Sequence, residues 1–256
     1  MDAPRFYCGS LSESIVRLSA SQTHHLADVL RLNVGQKVEL FDGKGSLALA
    51  EIVRTAARKL VRHSPKSRGG VDLKILETRT IQKPLHPQII IAPSIAKGER
   101  FDWLIGKCTE LGADRISPAL FERTVKQPKN PKIVQRWQNL AIAASQQCRR
   151  LFLPQIDAPL PLPQVVETLK KDYPGANFLF GSLSDKSSPL YGRSFGSADL
   201  VAFVGPEGGL TEREEIFLNS QNCRPVRLTD TVLRIETAAL AFAALFCAQR
   251  TSAGPI

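Results

Sequence analysis

The sequence predicts an α/β protein in two parts, a small β-barrel over residues 1–75 and a parallel sheet flanked by helices over residues 84–256. Three observations carry that reading. In the first part, short apolar runs alternate with turn signals, the pattern of a small barrel. Beyond the turn-rich linker Lys83-Pro84-Leu85-His86-Pro87, strand-like runs alternate with stretches of helical period, which implies a parallel sheet with helices on both sides. A length of 256 residues, 43% of them apolar, suffices to bury a proper core and argues against disorder.

Each element follows from its residues. The barrel strands are Ile15-Val16-Arg17-Leu18, Lys37 to Phe41, Leu47 to Val53 and Val71 to Leu76, with Asp42-Gly43 as the hairpin turn after the second and a helix over Ser21 to Leu32. In the second part, Gln88 to Ala92 is a strand, and Phe101, Leu104, Ile105, Cys108 and Leu111 mark one face of a helix. Ile116 to Leu120 reads as a strand, Ile133 to Cys148 as a helix and Asn177 to Phe180 as a strand. Leu200 to Val204 is a continuous apolar run, the signature of a buried parallel strand, and Pro225 to Leu228 is another short strand. Glu236 to Arg250 forms the last helix.

Composition removes several function classes. Met1-Asp2-Ala3-Pro4-Arg5 has no apolar segment of the secretory type, and the longest apolar stretch, the eleven residues Ala238 to Ala248, is too short to span a bilayer. A cytoplasmic protein without a membrane partner is expected. Cys8, Cys108, Cys148, Cys223 and Cys247 are odd in number and lack a Cys-x-x-Cys spacing, which argues against a disulfide framework and against zinc. His24 and His25 are adjacent, so on a helix they point about 100° apart and do not ligate one metal from one face; no metal is expected.

The net charge is +10, and it is concentrated. Arg54, Arg58, Lys59, Arg62, Lys66 and Arg68 form one run without an acidic residue, and Arg123, Lys126, Lys129, Lys132, Arg136, Arg149 and Arg150 form another. Such runs read either as solvated basic faces or as surfaces for a polyanion, and the polyanion expected for a chain without a membrane anchor is nucleic acid. With only 7% aromatic residues, base stacking is not the main source of affinity.

The candidate site lies near the carboxy end. Gly205-Pro206-Glu207-Gly208-Gly209-Leu210-Thr211 follows the strand at Leu200 to Val204, and Leu233-Arg234-Ile235-Glu236-Thr237-Ala238-Ala239 follows the strand at Pro225 to Leu228. Ligands of open α/β sheets lie at such strand ends. The glycines remove Cβ atoms and permit positive φ, so main-chain groups can meet a ligand directly. Thr211-x-x-Glu214 is a capping box that starts a helix where the loop ends. No Gly-x-Gly-x-x-Gly opens a helix, no Gly-x-x-x-x-Gly-Lys-Ser/Thr occurs, and Glu207, Glu212, Glu214 and Glu215 would repel phosphate. The loop reads equally as a plain tight turn or as a cradle for an uncharged or cationic ligand.

Together these segments resemble the ribosomal RNA small-subunit methyltransferase E family of the SPOUT superfamily. Arg5-Phe6-Tyr7, His25-Leu26, Val29-Leu30-Arg31-Leu32, Gly35 and Phe41-Asp42-Gly43 resemble the family's opening domain. Lys107 to Asp114 with Glu122-Arg123 resemble a second block, and Arg136-Trp137 with Ala143 to Arg150 a third. The resemblance covers nearly the whole chain. It departs at Leu228-Thr229-Asp230-Thr231, where Leu-Gly-x-Arg is common, and at Ile235, where Thr is usual. Loss of that glycine is expected to narrow the cofactor pocket, and loss of that arginine to remove a positive charge.

The resemblance implies a PUA-like RNA-binding β-barrel followed by a SPOUT α/β domain with a deep trefoil knot threaded by residues 178–250. It implies S-adenosylmethionine as cofactor and methylation of uridine N3 in 16S ribosomal RNA of the small subunit by a homodimer. The cofactor residues it implies are Phe180, Gly181, Gly205, Pro206, Glu207, Gly208, Gly209, Leu228 and Leu233; the RNA-binding residues are Arg5, Arg31, Arg58, Lys59, Arg62, Arg123, Arg149 and Arg150. Arg234 is the expected catalytic cation, either for the uracil carbonyls or for a phosphate. Glu236 or Glu207 serves as proton acceptor or as a cap on backbone amides. Two alternatives stand beside this: a related SPOUT methyltransferase acting on another RNA, and a catalytically idle RNA-binding homologue.

Overall fold

The computed structural model describes residues 3–55, 70–125 and 131–252. Arg58, Lys59 and Arg62 therefore lie outside the described residues. The chain forms two compact units, Met1–Lys83 with Ser145–Phe152, and Pro84–Ala144 with Leu153–Ile256.

In the first unit, β1 (Arg5–Tyr7), β2 (Ile15–Arg17), β3 (Lys37–Phe41), β4 (Ser46–Arg54) and β5 (Asp72–Thr80) form one sheet in the order β1-β3-β4-β5-β2. It is curled into a half-barrel. Val38, Leu40, Ala50, Ile52 and Leu73 are fully buried, as the two-residue period of a half-buried strand requires. The hairpin between β3 and β4 closes on Asp42, whose Oδ1 accepts from the amides of Lys44 (2.7 Å) and Ser46 (2.9 Å). The strand β1 has no sequence signal, because three residues with one buried side chain, Phe6, show no period.

The helix expected over Ser21 to Leu32 is shorter. It consists of α1 (Ala20–His24) and one π-helical turn (His25–Val29). The Leu30 amide donates to His25 O at 2.9 Å, the Leu32 amide to Leu26 O at 3.1 Å, and Arg31 between them is left-handed with φ 56°. Those bonds satisfy the last carbonyls and end the helix before Leu32. Residues 145–152 also join this unit. Arg5 donates to Glu39 Oε2 through Nε (3.0 Å) and Nη2 (2.8 Å), Arg149 Nη1 reaches the same oxygen at 3.4 Å, and Gln146 donates to Arg5 O at 3.2 Å.

The second unit is built on a fully parallel sheet. Its strands are β6 (Ile89–Pro93), β7 (Arg115–Ile116), β9 (Gln155–Ile156), β11 (Asn177–Gly181), β12 (Ser188–Pro189), β13 (Leu200–Val204) and β14 (Arg224–Arg227), in the order β12-β14-β11-β13-β6-β7-β9. Successive side chains enter opposite cores. Ile89, Ile91, Ala202 and Val204 pack with Phe101 and Leu104 of α2 (Glu99–Glu110), Trp137 of α3 (Ile133–Cys148), and Ala239, Phe242 and Phe246 of α6 (Ile235–Ser252). Ile90, Ala92, Val201 and Phe203 pack with Leu162 and Val165 of α4 (Leu162–Asp172) and Leu218 of α5 (Glu212–Ser220).

The single strand expected over Ile116 to Leu120 is two pieces, β7 and β8 (Ala119–Leu120), the latter paired with β10 (Leu160–Pro161). Pro118 has no amide to donate, so the chain leaves the main sheet there.

Candidate active site

The carboxyl ends of the parallel neighbours β13, β11 and β14 converge on a cavity of about 430 Å³. Three segments wall it: residues 181–184 after β11, 204–210 after β13, and 228–233 after β14. Such a volume suits a small molecule, for which sites span about 300–1,000 Å³.

The middle segment is held by its own turn and by side chains from elsewhere in the unit. The Gly209 amide donates to Pro206 O at 2.9 Å, and Gly209 has φ 73°, where a side chain would be strained. A Cβ on Gly205 would stand 2.9 Å from Leu210 Cδ2. Gly208 differs, because its φ is ordinary and a Cβ there would meet Arg123 Cδ at a tolerable 3.4 Å. The positive φ expected across the glycines is needed at Gly209 alone of the three.

The loop ends on the capping box that the sequence announces. Glu214 Oε2 accepts from the Thr211 amide (2.8 Å) and hydroxyl (3.1 Å), and the Glu214 amide donates back to Thr211 Oγ1 at 3.3 Å. The other carboxylate oxygen, Oε1, accepts from the Glu122 amide at 2.8 Å. The next residue, Arg123, donates Nη1 to Gly208 O (2.7 Å) and Leu210 O (3.4 Å). One buried carboxylate thus joins the start of α5 to the turn that carries Arg123.

The wall is acidic and apolar. Glu207 and Glu215 belong to it, together with Leu183, Leu210, Leu228, Val232 and Leu233, and among the described residues no lysine, arginine or histidine lines it. Ser182 Oγ donates to Glu215 Oε1 at 3.4 Å. Such a cavity favours a cation or a neutral group over a phosphate. Thr229 and Thr231 also line it, and the Thr229 hydroxyl closes their turn on Thr231 O at 2.9 Å.

Of the nine cofactor residues expected from sequence, Gly181, Gly205, Pro206, Glu207, Gly208, Gly209, Leu228 and Leu233 lie on this wall. Phe180 does not. It is a buried member of the core that includes Leu218, because it precedes the strand end by one residue and faces the opposite side. Sequence reasoning missed Ser182, Leu183 and Ser184, and took Glu215 only as a charge at the helix start. Their signal was position, since the first three directly follow the carboxyl end of β11, where ligands of parallel sheets lie.

Arg234 is exposed beside Leu233, and among the described residues its guanidinium has no hydrogen-bond or ion-pair partner. Glu236 sits in the first turn of α6 and is buried. The expected RNA-binding arginines divide in two. Arg31 is exposed, whereas the Arg5 side chain is only 7% exposed against Glu39, and Arg149 reaches the same carboxylate. Arg150 is half-buried, and Arg123 is exposed but bonded to the cavity loop.

Burial pushes the Cys108 thiol up to about 12, so it is no nucleophile. Among the described residues no group of three or more histidine, cysteine or acidic side chains could hold a metal ion, and no helix is long and apolar enough to cross a membrane.

Comparison with known proteins meets this geometry. A PUA domain of RNA methyltransferases matches residues 18–61. A Bacillus subtilis (strain 168) protein named ribosomal RNA small subunit methyltransferase E is 28% identical over 87% of this chain and 86% of its own length. The crystal structure of the Neisseria gonorrhoeae protein of that name, bound to S-adenosyl methionine, superposes with a TM-score of 0.80 at 29% identity and covers 95% of this chain and 96% of its own. An RNA methyltransferase domain matches residues 82–247, the stretch that builds the cavity, and a Synechocystis sp. protein with the same name is 33% identical over 88% of this chain and 70% of its own length. With a family model over residues 82–247 and a relative at 33% identity, the chain belongs to the ribosomal RNA small subunit methyltransferase E family.

Proposed function

We propose that this chain transfers a methyl group from S-adenosylmethionine to N3 of a uridine in 16S ribosomal RNA of the small ribosomal subunit. The observation that carries the reading is the cavity at the strand ends, walled by two carboxylates and apolar side chains with no basic residue lining it among the described residues. These residues fit the cofactor. S-adenosylmethionine supplies an electrophilic methyl group on a sulfonium cation. Glu207 and Glu215 would complement that positive charge, and the main chain of residues 205–209, which lines the cavity, would offer the ligand its N–H and C=O groups. Thr229 and Thr231 replace the usual family residues without closing the cavity.

The rest of the reaction falls to positioning, which is worth up to about 7–11 kcal/mol when reactants are well oriented. Uridine N3 carries a proton, so the base must be unpaired and its proton must leave. Arg234, exposed beside the wall residue Leu233, would hold a uracil carbonyl or the adjoining phosphate. Glu236 or Glu207 is the candidate acceptor.

The same reading assigns RNA capture to the PUA-like part, residues 1–75, and chemistry to residues 84–256, with the carboxy-terminal segment knotted as in the superfamily. Arg31, Arg58, Lys59 and Arg62 supply the polyanion surface in the cytoplasm. The chain is read as a homodimer, because α6 keeps Leu240, Leu245 and Cys247 only partly buried within the chain. A second subunit would cover them.

Isothermal titration with S-adenosylmethionine and mass spectrometry of ribosomal nucleosides from a deletion strain test the proposal. Binding, together with loss of 3-methyluridine from 16S RNA, is expected. Unchanged 3-methyluridine in the deletion strain would refute the substrate assignment, and light scattering that shows a monomer at micromolar concentration would refute the dimer.

A further inference from the structure

A charge arrangement adjoining the cavity involves a residue outside its wall. Arg100, in the first turn of α2, donates Nη1 to Glu207 Oε1 at 3.2 Å, and the same nitrogen stands 3.9 Å from Glu236 Oε1. Its Nε donates to Lys97 O at 3.3 Å, which fixes the direction of the side chain. Glu236 is 7% exposed, and its Oε2 has no hydrogen-bond partner. Among the described residues Arg100 is the one cation within 4.0 Å of either carboxylate.

A carboxylate in that state is costly, because burial removes its water and a single cation at long range returns little of the loss. Such a group in a native fold calls for an explanation, and a role at a functional site is one. Glu207 belongs to the loop after β13, whereas Glu236 opens the helix that follows the loop after β14. Nη1 makes both contacts, a hydrogen bond to Glu207 and a longer charge contact to Glu236, while the Nε bond to Lys97 O holds the planar guanidinium between them; an ammonium has no such second anchor.

We propose that Arg100 is a positioning residue for the methyl-transfer site. By bridging Glu207 and Glu236 it holds the two loops that wall the cavity in the register that binds the cofactor. Arg100 acts through Glu207 and touches no reacting atom. The inference rests on the reading of the cavity as the cofactor site.

The test is isothermal titration of S-adenosylmethionine into the full chain and its variants, with a thermal melt of each. Arg100→Gln is expected to weaken binding about tenfold, and Arg100→Lys, which restores charge without the anchoring Nε bond to Lys97 O, to recover part of the loss. Glu236→Gln, which leaves Arg100 bonded to Glu207 and changes no residue of the cavity wall, is expected to lose part of the affinity and serves where Arg100→Gln fails to fold. In the Glu207→Gln background the arginine substitution should cost less than about threefold, since residues that act through one contact are not additive. Wild-type affinity in a folded Arg100→Gln chain, an equal tenfold loss in both backgrounds, or a lowered melting temperature with unchanged affinity would each overturn the proposal. Absence of binding by the wild-type chain would overturn the functional reading, and this inference with it.

Discussion

Glu214→Gln separates the two jobs that one carboxylate performs. Oε2 serves the Thr211 amide and hydroxyl, and Oε1 serves the Glu122 amide. Glutamine has one acceptor oxygen, so whichever side it keeps, the other faces an NH2 group. If the cap is retained, the Glu122 amide is orphaned against a donor. The Glu122 amide is only partly buried, so leaving it unsatisfied costs about 1 kcal/mol, and the retained bonds lose their charge assistance, so a total of about 1–2 kcal/mol is expected. That is a large share of the roughly 5–15 kcal/mol by which a domain is stable. Urea unfolding reads this directly, as a lower midpoint at an unchanged slope. The functional consequence runs through the neighbour of Glu122, since Arg123 holds Gly208 O and Leu210 O. Cofactor affinity of the folded variant should fall about tenfold, which corresponds to one hydrogen bond of about 1.4 kcal/mol. A loss of stability below about 0.5 kcal/mol, the range of surface substitutions, would refute the hydrogen-bond reasoning. Full stability loss with wild-type cofactor affinity would refute the link from cap to loop.

Further tests bear on the loop, the hairpin and the basic run. Gly209→Val, at φ 73°, adds about 1–2 kcal/mol of left-handed strain and should abolish cofactor binding, whereas Gly208→Ala, with room for its Cβ, should retain it; titration of both folded proteins decides. Burial raises Asp42, but the amides of Lys44 and Ser46 outweigh it and hold the carboxyl below its ordinary value. Its contribution is therefore present above the unfolded value of about 3.9 and lost as pH falls through the folded one, so thermal melts of Asp42→Asn and wild type should differ at neutral pH and converge in acid. Replacing Arg58, Lys59 and Arg62 by Gln should reduce the slope of log affinity for single-stranded RNA against log salt by about 2, at about 0.7 per charge. An unaltered slope would exclude this surface.

Much of the fold is legible because local chemistry and tertiary demand agree. Leu200 to Val204 is apolar at every position and buried at every position. Thr211 and Glu214 announce a helix start that occurs as written. Where tertiary context decides, sequence falls silent. The helix α4 begins in a stretch that holds Pro159, Pro161 and Pro163 and reads as loop, although proline suits a first helical turn. The two-residue strands β9, β10 and β12 have no period to detect, since their pairing is made wholly by neighbours. The glycine loop gives most of the cavity wall. Arg100 is invisible from it, because 107 residues separate that arginine from the Glu207 it bonds.

The eight residues Ser145 to Phe152 give the first unit a discontinuous blueprint. Phe152 packs so close to Gly45 that a Cβ there would stand 2.8 Å from its ring, and Glu39 collects Arg149. A fragment cut at Lys83 lacks these partners, so excising the RNA-binding part requires grafting the 145–152 segment back. On the ribosome the same arrangement delays completion. The curled sheet emerges first but waits for some sixty further residues before its last pieces arrive, so its final consolidation belongs to the synthesis of the domain that follows.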